Sequence, residues 1–278
     1  MDAIALPFFR TALLAVLVLA GIHAYLGYHV VRRGVIFVDL ALAQMAALGL
    51  ALAVLLEQHE DPFWSYALPF GMTLIGAASF AWLRTQERKV PLEAFIGIVF
   101  ATAQAAVFLV LEKSPAGPEH IKETLVGAIY TVAPAHVVKT ALLYVAVGAL
   151  HVLLRRPFFE ITDDPEGARR RGRNLLFWDF LFYATFGLVV TSSVRIAGVL
   201  LVFGLLVIPA VVGVLLTGSP ARALAVGWSF SFVASCLGLI GSVQLDMPAA
   251  PSILVALTLG LLLVGARSWI WSRFRSGS

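Results

Sequence analysis

RRGVIFVDLALAQMAALGLALA, Arg32 to Ala53, opens with two cations and continues as an apolar run. Inside that run stand a carboxylate, Asp39, and an amide, Gln44. The run does not alternate polar with apolar residues, and roughly 20 apolar residues suffice to cross a membrane as a helix. A carboxylate in such a segment is costly and marks a pathway or a partner.

Working outward, the rest of the chain has the same character. Its 278 residues are 60% hydrophobic and 13% charged, with mean hydropathy +0.92. A soluble domain carries about a quarter charged residues. Period-two alternation, the mark of a membrane β-barrel, is missing. The fold class is therefore all-α, a polytopic helical membrane protein organised as a single transmembrane domain over 1–278. Nine apolar spans are expected, near 11–31, 37–56, 65–83, 92–111, 136–154, 177–194, 197–216, 223–243 and 251–268. Only VRIAG separates the sixth from the seventh. If one of these two is a half-helix or re-entrant, the count is eight. The first run, after Arg10, is too long for a signal peptide, lacks a small-x-small cleavage site and ends in Arg32-Arg33, so it reads as a transmembrane helix.

The net charge of +4 lies in short loops and reports orientation rather than nucleic-acid binding. With Arg32-Arg33 placed inside and the spans alternating, 15 of the 20 Lys and Arg residues fall inside and 5 outside. This predicts the N-terminus outside and the C-terminus in the cytoplasm. The outer connections EQHEDPFWSY, EKSPAGPEHIKET and QLDMPAAPS are acidic or neutral. The largest polar segment, Arg155 to Asn174, mixes both signs. It reads either as a solvated loop or as a docking surface for a cytoplasmic partner. Asp163, Asp164 and Glu166 favour docking, since a loop that only sets topology needs no acids.

Several chemistries have no motif here. There is no GxxxxGK[ST] to cradle ATP phosphates, no HExxH and no GxSxG. EHIKE, Glu119 to Glu123, lies in an outer loop and is not HExxH. The lone Cys236 allows neither a disulfide framework nor a CxxC site. A carrier, channel or permease remains.

Polar groups within the spans are the candidates for a route. At 1.5 Å per residue, His23 lies roughly 13 Å from the inner face, Gln44 roughly 10 Å, and Thr102 and Gln104 roughly 15–18 Å. Each also has a plainer reading. His23 can bond a helix carbonyl, and Gln44 and Gln104 can join neighbouring helices. Asp39 and Glu93, each in the first turn of its span, can favour the helix dipole, and Asp39 can pair with Arg32 or Arg33. Met45 and Cys236 read as packing.

These segments resemble the zinc/manganese-type ABC importer permease family. Arg32–Ala53 is similar to that family's RR…F…D-x-L-x-H-A-x-L-x-G-V-A stretch, and LEAFIGIVFATA (92–103) to its next acidic-then-Gly segment. VRIAGVLLVFGLLVIPAVVG, Val194 to Gly213, resembles its v-G-x-L-L-V-x-x-L-L-x-I-P-A core, and LDMPAAPSILVALTLGLLL, Leu245 to Leu263, its final D-x-P-x-G-x-x-I segment. The four matches run in register over most of the chain. The resemblance implies a plasma-membrane (bacterial inner-membrane) permease that works as a homodimer. Its partners would be two copies of a separate ABC ATPase, where ATP hydrolysis occurs, and an extracytoplasmic metal-binding protein. No cofactor is expected, the divalent metal being cargo. Contact with the ATPase is expected at Asp164, Glu166, Arg169 and Arg170, and at Arg222 in TGSPARAL.

The family's metal route is carried over to Asp39, with Gln44, His23 and Glu93 as companions. The family histidine falls four residues after the aspartate, where this chain has Ala43 followed by Gln44; a second falls near Ala101. An amide oxygen suits manganese better than zinc, so manganese, iron or another cargo is indicated beside zinc. Two alternatives remain open. GVLLVFGLLVIP is also similar to the core of larger importers for metal chelates or vitamin-like cargo, although Ala210 follows Pro209 where those carry His. The other is a membrane scaffold or sensor subunit without transport.

Overall fold

The computed structural model describes residues 7–56, 61, 63–86, 91–112 and 127–276, with side chains to 267. The expected outer loop through EHIKE, with His120, lies outside the described residues, as does His59 of EQHEDPFWSY. Among those described there are eight helices long and apolar enough to cross a membrane, and no strand. They are α1 (Pro7–Arg33), α2 (Val38–Leu55), α3 (Trp64–Arg84), α4 (Leu92–Leu111), α5 (Pro134–Leu153), α8 (Leu175–Leu216), α9 (Pro220–Gln244) and α10 (Ala249–Ser276). Two short helices, α6 (Arg155–Asp163) and α7 (Pro165–Arg170), lie between α5 and α8. The protein is an all-α, multi-pass membrane protein.

The boundaries follow local chemistry. Pro220 opens α9, where a missing N–H costs nothing. Arg32 and Arg33 close α1 at the negative end of its dipole. Gly34, at φ 68°, makes the turn into α2. Arg155–Asn174 is more ordered than a solvated loop. Asp164 caps α7 by accepting from the Gly167 N–H at 2.9 Å, and Pro165 follows as its first residue. Arg171 and Arg173 both bond Glu160, the latter at 3.1 Å. Part of its mixed charge therefore pairs internally, Glu160 with Arg171 and Arg173 and Asp164 with Arg171.

The sixth and seventh expected spans are two helical stretches, labelled together as α8, that meet at a break at Gly198, with VRIAG helical up to that break. The 42 residues of α8 would run about 63 Å if straight, twice the ~30 Å hydrocarbon core. Gly198, at φ 72° and ψ 161°, interrupts the helix instead. Gly127, itself at φ 71°, packs on that break so closely that a Cβ would strike the backbone of Ala197 and Gly198. Any other residue at either position meets strain or a collision.

The chain forms two compact units, each made of separate stretches. The first comprises residues 1–31, 128–139 and 200–278. There α1 meets the second part of α8 backbone to backbone, since a Cβ on Gly27 would collide with the Leu206 carbonyl. Small residues at such crossings permit the close packing that joins helices in lipid. The second unit comprises 32–127 and 140–199. Its centre is α2, which packs on α3 and α4, with Ala47 and Ala51 buried against Val107 and Leu111.

In the second unit α3 and the first part of α8 run antiparallel and are joined at both ends. Arg84 at the end of α3 pairs with Asp179 near the start of α8 at 2.5 Å. At the far end Arg195 donates to the Ser65 carbonyl and lies over the Tyr66 ring, 4.1 Å from its centroid. Between them Thr73 and Thr191 approach to 3.4 Å. The Arg84 end also gathers Arg32, Arg33 and α6: Arg32 pairs with Asp163 at 3.0 Å, and Arg33 donates to Thr162 Oγ1 at 2.9 Å.

Candidate transport site

Asp39 stands in the first turn of α2, fully buried. Neither of its carboxylate oxygens has a hydrogen-bond partner among the described residues. It does not pair with Arg32 or Arg33: those are committed to Asp163, Thr162 and Asp179. A buried ionised carboxylate without a partner costs several kcal/mol, about the penalty per ion after relaxation. A carboxylate has roughly four lone-pair directions with which to receive a cation or a proton.

The companions are placed differently. Gln44 is buried on α2, five residues beyond Asp39. At 100° and 1.5 Å per residue the two lie about 140° apart around the axis and about 7.5 Å apart along it. Their positions suit separate stations better than ligands of one ion. Glu93, in the first turn of α4, accepts from the Phe37 N–H at 3.0 Å, so it caps the start of α2 two residues before Asp39. His23 belongs to the other unit; its Nδ1 bonds the Leu19 carbonyl one turn back at 2.8 Å, and the ring is fully buried. Thr102 is exposed on α4 and Gln104 half-buried. No group of three or more His, Cys, Asp or Glu able to hold a metal exists among the described residues. Met45 is buried and Cys236 partly so.

The residues expected to meet an ATPase lie at the surface. Glu166, Arg169 and Arg170 on α7 are exposed, as is Arg222 in the first turn of α9. Asp164, the cap of α7, also lies 3.5 Å from Arg171.

One cluster escaped the sequence reading. Asp179 is buried and takes two guanidiniums, Arg33 at 2.9 Å and Arg84 at 2.5 Å. Arg33 is wholly enclosed and stacks over the Phe182 ring at 4.0 Å. The available signal was a lone acid in FWDF near the start of an apolar span, together with arginines ending two others. Two further polar groups missed in sequence are Ser231 and Ser235, one turn apart on α9, whose buried hydroxyls have no partner among the described residues.

Comparison with known proteins agrees with this architecture. Residues 5–268 match the ABC 3 transport family. The chain is 23% identical over 254 residues to the manganese transport system membrane protein MntC of Listeria monocytogenes serovar 1/2a, covering 91% of this chain and 88% of that one. It is 26% identical over 251 residues to the high-affinity zinc uptake system membrane protein ZnuB of Haemophilus influenzae, covering 88% and 91%. Among solved structures, PsaBC from Streptococcus pneumoniae in complex with Fab shares the fold, with TM-score 0.80, 20% identity, and coverage of 95% of this chain and 93% of that one. The chain belongs to the ABC 3 transport family.

Proposed function

We propose that this chain is the permease subunit of an ABC importer for divalent metal ions, with manganese, zinc and iron as the candidate cargoes. The observation that carries the reading is Asp39, a fully buried carboxylate whose two oxygens have no hydrogen-bond partner among the described residues, in a membrane-spanning helix of an ABC-family chain. Such a group is retained at a cost for a cation to visit. Gln44, with Glu93 and His23, supplies further polar positions, each weak enough to release an ion to the next. Conduction needs sites that bind and also let go, so a closed three-ligand cage is not required of this chain.

The whole chain, residues 1–278, acts as one permease domain and pairs with a second copy. Energy comes from a separate cytoplasmic ABC ATPase, docked on Asp164, Glu166, Arg169 and Arg170 and on Arg222. An extracytoplasmic binding protein delivers the metal. The end of the second unit holding Arg32, Arg33, Arg84 and α6 faces the cytoplasm, since cations are retained on that side.

Metal uptake into proteoliposomes tests the cargo. The permease with its ATPase and binding protein, given ATP, is offered manganese, zinc, iron and a chelated form of iron in competition. ATP-dependent accumulation of a bare divalent ion is expected. Uptake of only the intact chelate would replace this reading with the chelate importer, and no uptake of any cargo would favour a non-transporting subunit.

A further inference from the structure

Pro209 stands inside the second stretch of α8, which belongs to the first unit. Proline has no N–H, so the Leu205 carbonyl one turn back loses its intrahelical donor. In hydrocarbon a carbonyl freed this way is served from a neighbouring group, serine and threonine hydroxyls among them. The second unit contains such a case: Pro69 inside α3 frees the Ser65 carbonyl, and Arg195 donates to it.

A hydroxyl stands at the same level on α9. A Cβ on Gly213 would strike the Ala223 carbonyl, and one on Gly227 the Pro209 carbonyl, so α8 and α9 run antiparallel with their backbones in contact. One turn further from their join, Leu205 is level with Ser231. Both are fully buried, and Ser231 shares the face of Gly227, four residues before it. The Ser231 hydroxyl has no partner among the described residues. Ser229 and Ser242 on the same helix instead donate back to it, to the Ala225 carbonyl at 2.9 Å and the Leu239 carbonyl at 2.8 Å. Ser235 is also unpartnered among the described residues, but it is level with Leu201, whose carbonyl keeps the Leu205 N–H as its donor. Only at Ser231 does a spare donor stand opposite a carbonyl deprived of its own.

We propose that Ser231 and the Leu205 carbonyl form a switchable bond, open in the state seen here and closed when α8 bends at Pro209 during the transport cycle. The glycine contacts hold α8 to α9 between Pro209 and the short join that carries Arg222. That base moves as one piece, and Pro209 is the first place beyond it where α8 can bend. Closing the bond satisfies two groups at once in a place without water, which favours the bent state. Ser231 is thus a positioning residue for α8. The inference rests on the reading of this chain as an ABC permease, though not on its cargo, so ATP hydrolysis rather than metal uptake is the readout.

ATP hydrolysis by the full-length permease with its ATPase in lipid nanodiscs tests it, together with the thermal midpoint of the permease alone. Ser231→Ala should slow hydrolysis by about fivefold, the factor that one neutral hydrogen bond is worth. It should leave the midpoint unchanged, because the bond is open in the resting state. Ser231→Cys keeps a weaker donor and should fall between the two. Pro209→Ala returns an N–H to the Leu205 carbonyl and removes the bend, so it should slow hydrolysis and raise the midpoint. In that background Ser231→Ala should add nothing, as expected of one coupled pair. Ser235→Ala should match wild type in both measurements. A lowered midpoint at normal hydrolysis in Ser231→Ala would make the hydroxyl a static packing bond. That result, equal losses at the two serines, or additive effects of Ser231→Ala and Pro209→Ala overturns the proposal. Wild-type hydrolysis and midpoint in Ser231→Ala overturn it while leaving the transport reading in place, whereas a wild-type chain that engages no ATPase overturns both.

Discussion

Asp39 has no hydrogen-bond partner among the described residues, although arginines end the helix just before its own. The reason is competition. Arg33 finds Asp179 and Thr162, and Arg32 finds Asp163. The geometry of α2 also bears on Gln44. Because α2 is an unbroken α-helix, residue 44 does not share the face of residue 39, so an imidazole there would act as its own station. Gln44→His is nearly conservative in volume and replaces a hard amide oxygen by a nitrogen that zinc prefers. We expect the ratio of zinc to manganese uptake to rise by about tenfold, the scale on which ligand environments alter metal affinity. An unchanged ratio would place Gln44 off the route.

At the scale of elements, the second unit depends on a few polar joints between apolar helices. Removing the acid at Asp179→Ala leaves Arg33 and Arg84 facing each other in a buried place. The expected cost is about 3–5 kcal/mol, read as a lowered unfolding midpoint in detergent. A midpoint equal to that of wild type would show that the cluster adds nothing. The α6–α7 segment has a different sensitivity. The hydrogen bond from Arg171, helped by Arg173, holds the Glu160 carboxyl below its ordinary 4.5. A carboxyl depressed in the folded state contributes stability above its unfolded pKa and loses it as pH falls through the folded value. Amide exchange in residues 160–173 should therefore accelerate as pH drops below about 4.5, after correction for the intrinsic rate, and Glu160→Gln should remove that dependence. Acceleration that persists in the variant would point to another group. These joints also show what sequence could and could not reveal. Apolar length located the helices from α1 to α5, because length and hydropathy are local properties. The pairings of Asp179 and of Glu93 with the Phe37 N–H are not local, since they depend on which helix ends come together. The shortness of the join between the two stretches of α8 was hidden for a related reason. VRIAG carries an arginine, which reads as a loop, yet Arg195 is satisfied by Ser65 and Tyr66 while the backbone stays helical to Gly198.

At the scale of the whole molecule, three of the cations assigned to one side by counting, Arg32, Arg33 and Arg84, meet α6 and Asp179 at one end of the second unit, and Arg195 is at the other. Family membership rests on the match across 5–268 and accounts for the missing ATP-binding motif by placing that motif in a partner. The proposed metal transport, as against a membrane scaffold of the same fold, rests on the role given to Asp39. Paired measurements on Asp39→Asn test this most directly: ATP-driven metal uptake by the reconstituted importer, and thermal stability of the permease in detergent. Removing an unpartnered buried charge should leave stability unchanged or raised while uptake falls by about tenfold or more. Wild-type uptake in a stable Asp39→Asn permease would contradict the account.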